Sequence, residues 1–255
     1  MTDTQNRRFG GVSRLYGDGA AIRLKEAHVC VVGIGGVGSW SAEALARTGV
    51  GTITLIDLDM VAESNTNRQI HALGDIYGMA KVDAMAERIQ AINPSCQVFR
   101  VEEFVEAGNV ERILGQGKFT AVIDAIDQVR PKASMAAYCK KHGLPLVVAG
   151  AAGGQVDPTQ IRIADLSETI QDPLLAKLRS RLRKEHHFPK GPKRKFGIPA
   201  VFSTEPLRYP QRDGLCDIAN AITGLACAGF GSSVCVTSVF GMTAASVVIN
   251  QIAKG

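Results

Sequence analysis

Short apolar runs alternate with amphipathic stretches along most of the chain. "HVCVV", from His28, is a five-residue apolar run suited to a buried strand. A glycine-rich turn follows, then "SWSAEALARTG", a predicted helix with Ser39 placed to cap it and Gly49 to stop it. "TITLID" predicts the next strand, ending on Asp57, and "GMAKVDAMAERIQAINP" a helix ended by Asn93-Pro94. "QVFRV" reads as a strand and "NVERILGQG" as a short helix. "FTAVIDAID" reads as a strand ending in two aspartates, Asp124 and Asp127. "PKASMAAYCKKHG" is a helix and "LPLVVAG" a strand. This βαβαβαβ order predicts an α/β fold. Its sheet is Rossmann-like and mostly parallel, with helices on both faces and right-handed crossovers.

The pattern changes after Gly150. "IRIADL" predicts a strand, and "DPLLAKLRSRLRKE" a helix capped by Asp172, with Pro173 in its first turn. Leu174, Leu178 and Leu182 share one face of that helix. "HHFPKGPKRKFG" is a loop, "AVFS" a strand, and an apolar stretch closes the chain. The organisation expected is one domain over 1–255. Residues 8–154 are expected to form its alternating core and 155–255 a mixed C-terminal elaboration.

The last apolar stretch, Val234 to Ala253, has the length of a membrane span and no charge. Its serines and threonines, with Gly241, Asn250 and Gln251, favour a buried element of a soluble protein. "MTDTQNRRFGG" lacks the apolar segment of a secretory signal. The six cysteines (Cys30, Cys96, Cys139, Cys216, Cys227, Cys235) form no C-x-x-C pair. A reducing, cytoplasmic location without membrane contact is the expectation.

Charge is unevenly distributed. The net charge is +5, yet residues 177–195 alone carry +8, leaving −3 for the rest. The basic residues are Lys177, Arg179, Arg181, Arg183, Lys184, Lys190, Lys193, Arg194 and Lys195, against one acid, Glu185. On charge clustering alone, a polyanion-binding patch and a solvated helix face are equally acceptable.

The glycine turn carries the first chemistry. Gly33-x-Gly35-x-x-Gly38 follows a strand and opens a helix, the arrangement that brings a nucleotide phosphate to backbone N–H groups. Asp57 and Asp59 close the second strand, and either is placed for ribose hydroxyls. NAD and ATP fit equally to this point. Asn65, Arg68 and Gln69 in "ESNTNRQ", Lys81 in "GMAKV", and Asp124 and Asp127 separate them. Cations and a strand-end carboxylate serve a triphosphate with Mg²⁺, whereas hydride transfer needs neither.

"VVGIGGVGS", "LIDLD", "SNTNRQ", "GMAKV" and "DAIDQ", in this order, resemble the superfamily of ubiquitin-activating-type adenylating enzymes over roughly Arg8 to Gly154. The resemblance implies ATP at Gly33, Gly35, Gly36, Gly38 and Ser39, with ribose on Asp59. It implies Asn65, Arg68 and Lys81 on the phosphates, support from Gln69, and Asp127 as the acid linked to Mg²⁺ through ATP. Members that activate the Gly-Gly tail of a small ubiquitin-like or sulfur-carrier protein usually carry a zinc site built from two C-x-x-C pairs, which this chain lacks. A second branch, the tRNA threonylcarbamoyladenosine dehydratases, is similar well beyond the nucleotide site. "RFGGVSRLYG", "VIDAIDQVRPKA", "AAGGQVDPTQI", "TIQDPLLAKLRSRLRK" and "VFSTEPLRYPQ" carry that likeness.

That branch implies ATP activation of the threonyl carboxylate on an anticodon-loop adenosine, then internal ring closure with loss of water. It raises the polyanion reading of 177–195 above the solvated face. It also implies a homodimer in which Arg8 or Arg14 reaches the partner's ATP, and a link to a cysteine desulfurase or sulfur acceptor. Cys227 resembles a cysteine of the dehydratases and is a candidate catalytic residue, although a small buried apolar role is the commoner one. "GAAGGQVDP", Gly150 to Pro158, is either a plain glycine-rich turn or a monovalent cation loop using Asp157.

Overall fold

The computed structural model describes residues 3–191, 194–208 and 230–255, with side chains from residue 7. Two helices come first, α1 (Asp3–Tyr16) and α2 (Asp18–Glu26). The alternating part then runs β1 (His28–Val32), α3 (Gly38–Arg47), β2 (Thr52–Ile56), α4 (Lys81–Ile92), β3 (Gln97–Val101), α5 (Val110–Gly115), β4 (Ala121–Asp124), α6 (Val129–His142) and β5 (Leu146–Ala149). It ends with β6 (Ile161–Asp165), α7 (Pro173–Glu185), β7 (Pro199–Ser203) and α8 (Val234–Lys254).

The strands form one seven-stranded sheet in the order β3-β2-β1-β4-β5-β7-β6. Only β6 is antiparallel; it pairs with β7 at the edge, so the strands after Gly150 extend the sheet of the nucleotide half. β1 is buried on both faces, which is why "HVCVV" is continuously apolar. Its residues alternate between two cores. Val29 and Val31 face the helices α3, α4 and α8, while Cys30 and Val32 face α5, α6 and α7.

β1 lies between β2 and β4, in register Val29↔Ile53 and Val29↔Ala121. The chain therefore winds outward in opposite directions from β1 and β4. That reversal opens a crevice at the carboxyl ends of these strands.

Several local expectations change. β2 and β4 stop at Ile56 and Asp124, which puts Asp57, Asp59 and Asp127 in loops. Ser39 is not the cap of α3: it lies inside the helix with its Oγ buried and unpartnered, and Val37 occupies the cap position. No apolar period before His28 stands out, because Gly10 and Gly11 interrupt it, yet α1 forms there. Its Val12 and Tyr16 pack on the core beside Leu24 of α2.

α8 is the one described helix long and apolar enough to cross a membrane. Half of its apolar window is buried, with Val236, Phe240, Ala244 and Val248 against the α3 side of the sheet. Ser41 Oγ of α3 donates to the Gly241 carbonyl of α8 at 3.0 Å.

Candidate nucleotide-binding active site

The site starts from the turn after β1. Gly33 has φ +86, which a side chain disfavours, and its N–H donates to the Ile56 carbonyl at 2.8 Å. A Cβ on Gly38 would lie 1.7 Å from the Gly33 carbonyl oxygen, so only glycine lets α3 begin so close to the strand. The free N–H end of α3 thus faces the crevice, an environment that favours an anion.

The two aspartates after β2 take different roles. Asp57 is buried: its Oδ2 accepts from Ile34 N at 2.6 Å and its Oδ1 from Asp59 N at 2.8 Å. It braces the glycine loop, and burial pushes its carboxyl above the usual range against the pull of Lys81. Asp59 is half exposed and lies 2.6 Å from the buried Lys81 Nζ. Asp59 is therefore the aspartate whose carboxylate faces the opening.

The 3-10 turn Glu63–Asn65 carries the next group. Asn65 Oδ1 accepts from Ala62 N at 3.1 Å, and its carbonyl takes the N–H groups of Arg68 and Gln69. Asn65 is buried and does not line the cavity; it folds the loop that presents Arg68 and Gln69. Trp40 Nε1 donates to the Arg68 carbonyl at 3.0 Å, and Asn67 Nδ2 to the Ser232 carbonyl at 3.1 Å. The arginine loop is thereby tied to both α3 and the start of α8.

These parts enclose a cavity of about 600 Å³, large enough for a nucleotide and a further group. Gly33, Gly35, Gly36, Asp57, Asp59, Arg68, Gln69, Lys81 and Asp127 all line it. Gly38 and Ser39 lie behind the loop. Asp124 needs correction as a nucleotide ligand. Its side chain has no exposure and pairs with the equally buried Lys132 Nζ at 2.8 Å, on the far side of the turn that carries Asp127.

The sequence pattern did not mark several lining residues. Phe104 and Val105, after β3, close an apolar slot with Val32, Ile56 and Ile126. Their position beyond a strand end on the crevice side was the available signal. Gly150–Gly153, the start of the glycine-rich loop the sequence did single out, form the opposite wall with Pro173 and Leu174, and Thr237 of α8 adds a buried hydroxyl beside Gly36 with no hydrogen-bond partner among the described residues.

Asp157 is engaged within its own turn. Its carboxylate caps the turn Pro158–Gln160 through Thr159 N at 2.9 Å and takes Gln160 Nε2 at 3.1 Å. The loop is fastened by Glu205, whose Oε2 accepts from Val156 N and Asp157 N.

Along α7 the cations divide. Arg179 donates to Thr169 Oγ1, Arg181 pairs with Glu185 at 2.8 Å, and Arg183 lies 5.2 Å over the Phe196 ring. Lys195 pairs with Glu168 at 3.5 Å. Lys177, Lys184, Lys190 and Arg194 are exposed without an ion-pair partner among the described residues. Phe188 is buried against Phe196 with ring centroids 5.0 Å apart, so it anchors the loop. Cys227 and Lys193 lie outside the described residues.

A glycine loop, an arginine loop and a lysine at the carboxyl edge of a doubly wound sheet define a nucleotide-binding α/β protein of the ThiF family, which residues 10–253 match and to which the chain belongs. It is 55% identical over 251 residues to the tRNA threonylcarbamoyladenosine dehydratase of Escherichia coli, covering 96% of this chain and 93% of that one. It is 50% identical over 253 residues to the enzyme of that name from Haemophilus influenzae, covering 99% and 95%. The crystal structure of the E. coli tRNA N6-threonylcarbamoyladenosine dehydratase in complex with ATP matches with a TM-score of 0.89 at 51% identity, over 98% of this chain and 96% of that one.

Proposed function

We propose that this chain is an ATP-dependent tRNA threonylcarbamoyladenosine dehydratase acting in the cytoplasm. The observation that carries the reading is the single cavity in which the glycine loop, Arg68, Lys81 and Asp127 meet, walled by the first turn of the basic helix α7. The family likeness supports it across nearly the whole chain.

The site fits ATP on its own chemistry. Gly33, Gly35 and Gly36 present no side chain to block a phosphate, and Arg68 and Lys81 offset its charge. Ser39 Oγ, Gln69 Oε1 and Thr237 Oγ1 are buried around the loop without hydrogen-bond partners among the described residues. Among the described residues no cluster of three ligating side chains is present. Mg²⁺ would therefore bind through Asp127 and the nucleotide's own oxygens, where it supplies charge neutralisation.

The substrate carboxylate is a poor electrophile until ATP turns one of its oxygens into a leaving group. The carbamoyl group of the same side chain then attacks. Because nucleophile and electrophile are tethered, the effective concentration is high and the protein has only to align and desolvate them. Arg68 and Lys81 hold the departing charge, and Gly150–Gly153 with Leu174 shape the space for the threonyl group.

α7 points its amino end into the cavity and is about 20 Å long at 1.5 Å per residue. Lys177, Lys184, Lys190 and Arg194 extend from that end as contacts for the RNA backbone. We further infer a homodimer. Arg8 and Arg14 are both exposed, Arg8 is bonded to the Ile92 carbonyl at 3.0 Å, and neither lines the cavity of its own chain. Arg14 is thus the arginine for the partner's ATP, and Leu15, 76% exposed, marks the adjoining face.

The test is mass spectrometry of nucleosides from threonylcarbamoyladenosine-bearing tRNA incubated with the protein and Mg-ATP, under mild digestion. Loss of one water that requires ATP is the expected result. An unchanged nucleoside mass, from protein that still binds ATP, overturns the tRNA assignment and directs the search to the carboxyl tail of a small protein.

A further inference from the structure

Behind the floor of the cavity lies a fully buried ammonium that the reaction as described does not use. Lys132, in the first turns of α6, has no solvent exposure. Its Nζ donates to Asp124 Oδ1 at 2.8 Å, to the Ile126 carbonyl at 2.8 Å and to the Asp124 carbonyl at 3.3 Å. Asp124 Oδ1 also accepts from Ile126 N at 3.2 Å. Three of these four bonds end on backbone groups of residues 124–126, the segment directly before Asp127. The same ammonium acts on Asp172, drawing its carboxyl downward against the upward push of burial. Asp172 in turn accepts from Ala151 N at 2.9 Å and caps α7 through Leu175 N.

We infer that Lys132, with Asp124, is a positioning residue: it fixes the 125–127 turn so that Asp127 is held at the angle its nucleotide–metal contact requires. This rests on the role assigned to Asp127 above. Two physical points support it.

A buried ion pair is seldom a net gain in stability over an apolar pair of the same size. Stability alone is thus a weak reason for a lysine here. The geometry, in contrast, is specific. An ammonium with one carboxylate and two carbonyls on one short segment leaves that turn a single arrangement. A Cβ on Gly33 would touch Ile126 Cγ2 at 2.9 Å and the Ala125 carbonyl at 3.1 Å, so the turn is also packed against the glycine loop. Tilting the 125–127 turn would therefore move Asp127 and disturb the phosphate loop together. Lys132 supports the end of β4 from beneath and does not line the cavity.

The experiment compares wild type, Asp127→Asn, the neutral double variant Lys132→Met/Asp124→Asn, and Lys132→Arg. It reads thermal stability, ATP affinity in EDTA, and the rate of tRNA dehydration across a Mg²⁺ titration. The double variant removes both members of the buried Lys132–Asp124 ion pair together and leaves Asp172 its backbone N–H partners, so it is expected to fold and to bind metal-free ATP as wild type does. Its kcat is expected to fall by roughly 10²-fold, the scale of an ångström-level misplacement. Its half-saturating Mg²⁺ is expected to rise several-fold, in the direction of Asp127→Asn.

A folded double variant with wild-type rate and Mg²⁺ dependence overturns the proposal and leaves the pair a purely structural one. If the double variant fails to fold, the decision moves to Lys132→Arg, which keeps the charge but not the three-acceptor geometry. A raised Mg²⁺ requirement with unchanged metal-free ATP affinity supports the inference, and an unchanged requirement overturns it. If Asp127→Asn itself behaves as wild type, the role given to Asp127 has failed, and the proposal with it. Failure of wild type to dehydrate tRNA marks instead the failure of the functional reading.

Discussion

Lys81 Nζ lies 2.6 Å from Asp59 Oδ2, joining a buried cation to a half-exposed carboxylate at the opening of the nucleotide cavity. On the roles proposed above, the pair links the ribose end of the nucleotide to its phosphate end. Lys81 also acts electrostatically on Asp57 behind the glycine loop and on His71.

Lys81→Met is therefore expected to weaken ATP binding by roughly 10- to 100-fold, the loss of a bond to a charged group. Trp40, the only tryptophan, is bonded to the Arg68 carbonyl and reports occupancy by its fluorescence. An unchanged ATP titration of the folded variant would remove Lys81 from the binding set.

Asp127 is exposed in the cavity, and its side chain makes no hydrogen bond or ion pair among the described residues. Asp127→Asn should keep the melting temperature and the metal-free ATP affinity. The dehydration rate should drop by roughly 10²-fold, the scale seen when one group stabilising transition-state charge is lost. Turnover at the wild-type rate would deny it a catalytic place.

The division of cations on α7 predicts two kinds of variant. Glutamate at Lys177, Lys184 and Lys190 should raise KM for tRNA and leave ATP affinity alone. It should also flatten the salt dependence of tRNA binding by roughly 0.7–0.9 in log–log slope per lost contact. Arg183→Ala should instead lower stability by about 1 kcal/mol through loss of its contact with Phe196. Equal salt slopes for wild type and the triple variant would place the RNA elsewhere.

His71 predicts a pH effect. Burial, with Lys81 and Arg88 nearby, pushes its pKa down to about 4, and neither ring nitrogen has a hydrogen-bond partner among the described residues. The unfolded chain takes up this proton near the ordinary value of 6.5, before the folded protein does. Stability from this residue is therefore full above 6.5 and is lost as pH falls toward 4, at up to about 1.4 kcal/mol per unit. His71→Leu should remove that part of the slope in denaturant unfolding between pH 4 and 7. Parallel curves for the two proteins would show that His71 is not the cause.

What is contiguous in the chain was legible. "HVCVV" and "TITLI" are strands because each is a run of apolar residues long enough to cross a sheet buried on both faces. The α7 cap and leucine face follow from Asp172-Pro173 and a 3.6-residue period. The glycine spacing marks the phosphate loop because close helix–strand approach and a left-handed turn are demands on the backbone at fixed offsets. α1 was not legible, since two glycines blur its period and its helix is held by packing on α2 and the core.

Chemically identical residues were told apart only by the tertiary structure. Asp57 and Asp59 are two apart, yet one braces backbone while the other faces the opening. Asp124 and Asp127 are three apart, yet one is sealed against Lys132 while the other lines the cavity. Arg179 and Lys177 carry the same charge, yet Thr169 holds only the arginine. The sequence by itself determined the alternating strands and helices from His28 onward, their mostly parallel arrangement and the place of the phosphate loop, because these depend on local periodicity and backbone constraint. The role of each ionisable side chain depends on which distant segment folds against it, and that is decided only when the chain closes on itself.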